Sequence, residues 1–336
     1  MSVAKCTFKI FILTMAVSGC VTQGPDNFNI AEIKLPPNSR FWVPPKERSA
    51  CPSGAPGFYE LDFQRTVRGW DDDSVRAPGF IKILGLNASY SLGDSDFDMA
   101  GYVQHVVEAA KSSAFTVRDW GSPGGSDPVF PQSLMLINLS YTYSLFDHEK
   151  AWSPSQKQTV IDWGNKISSG QYDKHRYATL DSRAAIAAAQ MSWGAATSQP
   201  DIFQSGLQDF YFVASKMTNG MFRNMRKSGL LYNNEIVQFM ILAAEAAERN
   251  GIPAYEFSYG GVTLHDAIRW HTERSLVEYG KHYSGRGYVQ HMAWAPIYWS
   301  RFPDKPAAQS LLKDQPSYWE YWGSSMGGWT KCLWGR

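Results

Sequence analysis

Residues 223–251 read RNMRKSGLLYNNEIVQFMILAAEAAERNG. Three cations, Arg223, Arg226 and Lys227, come first, and the turn signal Ser228-Gly229 follows. Tyr232, Asn233 and Asn234 then precede a run that is apolar at almost every position, from Ile236 to Ala247. The spacing predicts a helix over 235–249. A helix that is apolar on every side is buried inside a larger assembly. Asn233 or Asn234 suits its N-cap, Glu235 its first turn and Gly251 its stop. A phenol, two amides and three cations are thus expected where a buried helix emerges, which is how a site on a rigid scaffold is built. The alternative is that Tyr232 only staples the helix start and that the cations form a solvated loop.

Working outward from this stretch, helical periodicity recurs. Residues 101–114, 131–146, 155–168, 181–197, 202–217, 264–279 and 290–301 are each predicted helical, whereas 51–79 reads as irregular. Residues 181–197 are apolar all round and 202–217 are amphipathic. Residues 235–249 are again apolar all round and 264–279 again amphipathic. Alternation of buried and half-exposed helices is what a two-layer ring of antiparallel helices requires. Strand signal is sparse, and no repeat of fixed period stands out. The expected fold is all-α, a single domain over residues 51–336, because nothing there resembles a linker.

The chain has 336 residues, 44% of them hydrophobic and 19% charged, an ordinary globular balance. A net charge of +1 argues against nucleic acid as a partner, so any anion-binding surface is local. Thirteen tryptophans exceed ordinary core needs and suit stacking on sugar rings, although packing between helices accounts for most of them. No Cys/His cluster has zinc spacing, and no cofactor is expected.

The first residues read as targeting signal. Lys5 and Lys9 precede an apolar run and then Val17-Ser18-Gly19-Cys20. A small-residue triplet ending in cysteine resembles the bacterial lipoprotein signal. Residues 1–19 are therefore expected to be removed and Cys20 to carry lipid. Val21 in place of Asp favours the outer membrane by the same resemblance, with the domain monomeric in the periplasm. Residues 20–50, which include Pro36-Pro37 and Pro44-Pro45, are expected to be a lipidated, proline-rich tether. With Cys6 in the signal and Cys20 acylated, Cys51 and Cys332 remain as a disulfide candidate, the alternative being two free thiols.

Three segments carry a family resemblance. The first is Cys51-Pro52 followed by Leu61–Phe63 and Asp73–Arg76. The second is Asp181–Gly206, and the third Leu231-Tyr232-Asn233-Asn234 through Asn250-Gly251. Their order and spacing resemble periplasmic alginate lyases of the polymannuronate-cleaving type. The resemblance implies an (α/α) toroid and β-elimination of an anionic polysaccharide. A base takes the C5 proton of a uronic acid, an acid protonates the leaving O4, and the substrate carboxylate must be neutralised so that the enolate-like transition state is stabilised. By resemblance Tyr232 is the base, the acid or both. Phenols ionise near pH 10, so nearby cations must favour the phenolate.

This chain departs from the family pattern at the carboxylate receptor. Asp181-Ser182 stand where the family has Asn-His, Ala184-Ala185 where it has an aromatic, and Met225 where it has an arginine. An aspartate at position 181 would repel a uronate. Arg183, Arg226, Asn233 or Asn234 are expected to face the carboxylate in compensation, with Arg183, His175 and Arg176 as substitutes for the Asn-His pair; the alternative for these three is a solvated turn with a structural Asp–Arg pair. Asn234, Arg223, His175 and Arg176 are the candidate substrate-binding residues. Two further readings stay open. One is a glycoside hydrolase on the same scaffold, with Asp181 and Glu235 as its two carboxylates. The other is a non-catalytic glycan-binding lipoprotein of an exopolysaccharide secretion or attachment system.

Overall fold

The computed structural model describes residues 29–54, 63, 65–67, 77–119, 127–169, 179–222, 229–275, 277, 290–313 and 319–335. Signal residues 1–19 and Cys20 lie outside them. In chain order the longer helices are α1 (Ala77–Gly93), α2 (Met99–Lys111), α3 (Val129–Glu149), α4 (Pro154–Ser169), α5 (Leu180–Thr197), α6 (Pro200–Ala214) and α7 (Gly229–Glu248). Shorter ones follow: α8 (Leu264–Trp270) with a π-helical turn at His271–Ser275, then α9 (Ala295–Arg301), α10 (Pro306–Lys313) and α11 (Thr330–Trp334).

Side-chain polarity sorts these helices into two layers. Every residue is buried from Pro131 to Tyr143 in α3, from Ala184 to Ala195 in α5 and from Ile236 to Ala247 in α7. These helices, with α1, lie side by side in the order α1, α3, α5, α7 as an inner layer. The outer helices bury one stripe each. On α6 the stripe is Phe203, Leu207, Phe210, Tyr211 and Ala214 against α5. Hairpins between layers are tight: α5 ends with Ser198 at φ 55°, and Pro200 opens α6 two residues later. Gly194 and Gly206 let α5 and α6 touch, since a Cβ at Gly194 would lie 2.5 Å from the Phe203 amide nitrogen. The molecule is an (α/α) toroid.

Several boundaries differ from the sequence reading. Helix α1 falls where no helix was expected, and its Phe80, Ile81 and Leu84 are core. The predicted helix 202–217 stops at Ala214. Met217–Thr218 (β1) then pairs antiparallel with Met221–Phe222 (β2). The two residues between them, Asn219 at φ 52° and Gly220 at φ 81°, form the Asn-Gly turn that hairpin twist favours. Only α9, from Ala295, forms of the predicted 290–301, because Gln290–His291 pair with Trp319–Glu320 as strands.

The chain from residue 29 is no tether. Phe41 and Trp42 are buried, edge-on to Tyr141 at 4.8 and 5.4 Å. Trp42 Nε1 donates to the Leu333 carbonyl at 2.6 Å, Ser39 Oγ to the Ala195 carbonyl at 3.0 Å, and the Asn250 amide brackets the Arg40 backbone. Prolines here set an extended strap that docks two aromatic rings; burying them outweighs the freedom expected of a polar, proline-rich stretch. The strap seals the C-terminal ends of α3, α5 and α7. The Cys51–Cys332 disulfide, with Cα atoms 4.5 Å apart, ties it to the last helix. Cys332→Ser is expected to lower stability by about 3–5 kcal/mol through the long loop released in the unfolded chain. Urea unfolding of both proteins, with and without reductant, checks this; reductant should move only the native protein.

Candidate active site

With the C-terminal ends sealed, the open end is where the inner helices begin. Two contacts show that α3 and α5 run in one direction, and the charge of Asp181 acting on Glu235 places the start of α7 beside that of α5. Ser182 Oγ in the first turn of α5 donates to Asp127 Oδ2 at 2.8 Å, while Asp127 Oδ1 accepts from the Val129 amide opening α3 at 2.9 Å. The starts of successive inner helices therefore gather at one mouth.

Tyr232 stands at this mouth. Its ring is 39% exposed, whereas Asn233 and Asn234 beside it are 2% and 3% exposed. Helix α7 begins at Gly229, earlier than the sequence reading, so neither asparagine is its N-cap. Both side chains instead turn inward to a fully buried histidine, His271, on the π-helical turn after α8. Asn233 Nδ2 lies 2.9 Å from His271 Nδ1, and Asn234 Oδ1 lies 3.1 Å from His271 Nε2. Trp294 Nε1 donates to the same Asn234 Oδ1 at 2.8 Å. Burial pushes the His271 pKa down to about 3, so the ring is neutral.

One turn beyond Tyr232, Glu235 is half-buried on α7. Burial first, and the charge of Asp181 second, push its carboxyl up to about 7. The described part of the mouth thus carries three carboxyl groups, those of Asp127, Asp181 and Glu235.

Arg183, expected at the substrate carboxylate, is elsewhere. Its Nε and Nη2 reach Asp209 Oδ1 on α6 at 2.9 and 2.5 Å, and its guanidinium lies 3.4 Å from the Phe212 ring centre. Two residues along a helix turn a side chain about 200°. With Asp181 at the mouth, Arg183 must face the outer layer, and buried Asp209 holds it there. Arg223, Arg226, His175 and Arg176 lie outside the described residues. The sequence reading missed His271 and Trp294. A usable signal existed for the histidine, because His271 continues the buried positions Leu264, Ala267 and Ile268 at helical spacing and a histidine in a core must find polar partners.

Residues 131–279 match the family model described as alginate lyase. Among solved structures, the chain is similar to a tyrosine-to-phenylalanine variant of alginate lyase A1-III complexed with tetrasaccharide. The TM-score is 0.66 at 15% identity, over 92% of this chain and 87% of that one. It is similar also to alginate lyase A1-III from Sphingomonas species A1, with a TM-score of 0.64 at 15% identity, over 90% of this chain and 92% of that one. No curated protein matches the chain.

Proposed function

We propose that this chain, whose residues 131–279 match the alginate lyase family model, is a polysaccharide lyase cleaving a uronate-bearing polymer by β-elimination, with Tyr232 moving the proton. The observation that carries the reading is an exposed phenol at the start of an inner helix with two buried amides directly behind it. In the reaction a base at the Tyr232 oxygen takes the C5 proton, the C4–O4 bond breaks, a C4=C5 double bond forms, and O4 leaves protonated. Solved relatives of the fold include alginate lyases complexed with tetrasaccharide, which supports alginate as the first polymer to test. Ultraviolet absorbance of the unsaturated product, on alginate and other polyuronates, tests the reading. A flat trace on every polymer overturns it.

A second reading, a glycoside hydrolase, is favoured by one observation. Glu235 is raised to about 7 beside Asp181, the pattern of an acid kept protonated next to a carboxylate. One variant separates the two. In the lyase, protonated Glu235 relieves repulsion of the substrate carboxylate. Native KM is therefore expected to rise as pH climbs through about 7, and Glu235→Gln to flatten that rise while keeping turnover. In the hydrolase Glu235→Gln abolishes turnover. Linkage gives the same sign for stability. The raised carboxyl binds its proton more tightly folded than unfolded, so stability falls between pH 4.5 and about 7. Glu235→Gln removes that slope.

A further inference from the structure

The polar chain behind Tyr232 has one self-consistent proton arrangement. The Trp294 indole can only donate, so Asn234 must present its oxygen to it. The same oxygen faces His271 Nε2, which must therefore carry the ring's proton. A neutral imidazole holds one proton, so Nδ1 is bare and accepts from the Asn233 amide. This leaves Asn233 Oδ1 as the free end of the chain, one residue from the exposed Tyr232, and this buried oxygen has no hydrogen-bond partner. A buried acceptor without a donor costs about 1–3 kcal/mol. The histidine that fixes its orientation opens a π-helical turn, a feature that recurs at functional sites.

We propose that Asn233 is a specificity-determining residue whose Oδ1 accepts a hydrogen bond from a hydroxyl of the sugar bound at Tyr232, and that His271 is a positioning residue that keeps this oxygen, not the amide nitrogen, turned to the ligand. The inference rests on the polysaccharide reading above and adds what the site reads: a hydroxyl donor, separately from the carboxylate. Amide nitrogen presented instead would seek an acceptor, and a hydroxyl capped as an ether offers no donor. The chain from Trp294 to Asn233 therefore sets the sign of the recognition.

The test measures binding by calorimetry in the Tyr232→Phe background, so that no turnover intervenes. The ligands are an alginate tetrasaccharide and its counterpart with O-methylated hydroxyls and free carboxylates. The parent is expected to bind about tenfold or more tightly than the methylated ligand. Adding Asn233→Leu, which keeps the bulk and so any steric exclusion, is expected to erase that ratio. His271→Leu is expected to erase it also, and His271→Gln, which offers one acceptor and one donor, to keep most of it. Circular dichroism confirms that each variant is folded. Should His271→Leu fail to fold, the Asn233→Leu and His271→Gln pair still decides. Equal binding of both ligands without further substitution, or an undiminished ratio in Asn233→Leu, overturns the inference alone. If neither ligand binds with Asn233 and His271 intact, the polysaccharide reading falls and takes this one with it.

Discussion

Tyr232→Phe is expected to lower kcat on a uronate polymer by about two to four orders of magnitude, the range general acid–base catalysis supplies, with little change in KM. The substitution removes one hydroxyl from a ring that is already 39% exposed. Its cost to the fold should stay within about 0.5 kcal/mol, as for surface changes that break no buried contact. Loss of activity with an unmoved melting curve would therefore be chemical. The two asparagines behind the ring are held by His271 and Trp294, not by the phenol, so binding should survive. Steady-state kinetics on the unsaturated product, with thermal melts of the same samples, make the measurement. Full activity in the phenylalanine variant would remove Tyr232 from the mechanism. Combined with an inactive Glu235→Gln, it would move the assignment to the hydrolase. A hydrolase built on Asp181 and Glu235 has no use for the phenol.

The fold was more legible in the chain than the site was, and the reason is physical. Residues 184–195 and 236–247 are apolar at nearly every position, which only an inner layer explains, so two rings of helices follow from composition and period alone. Hairpin β1–β2 escaped because its strands are two residues each, too short for alternation, although Asn219-Gly220 announced the turn. The strap at 35–45 escaped for a different reason. Its partners, Tyr141, Ala195, Asn250 and Leu333, are distant in sequence, and a proline-rich polar stretch reads the same whether it is free or docked. At the site, Tyr232, Asn233 and Asn234 were legible as a cluster because they are consecutive. Arg183 was misassigned because charge was counted without its direction around α5. Buried Asp209, the partner that settles that direction, lies in a segment that reads only as amphipathic.

Arg301→Ala is expected to cost about 3–5 kcal/mol of stability, the range for stranding one partner of a buried ion pair. Glu245, in the last third of α7, has a side chain 1% exposed and receives Arg301 Nε at 2.5 Å and Nη2 at 2.6 Å. Tyr255 also donates to it at 3.2 Å; burial first and the Glu245 charge next hold that phenol protonated, so it remains a donor. One hydroxyl cannot replace a guanidinium. With Arg301 gone, Glu245 loses both of its charge-assisted hydrogen bonds and keeps the Tyr255 hydroxyl and the nearby charge of Arg249, which do not replace them. The double variant Arg301→Met with Glu245→Met should recover part of the loss, because it removes the charge along with its main partner and fills the space, while Arg249 loses a neighbouring counter-charge. Urea unfolding of the native, single and double variants checks the order. Equal losses in single and double variants would show that packing, not the stranded charge, was responsible. Glu245 lies thirteen residues along α7 from Tyr232, about 20 Å at 1.5 Å per residue. Turnover per folded molecule is therefore expected to be unchanged in both variants, which separates what holds α7 against α9 from what its first turn does.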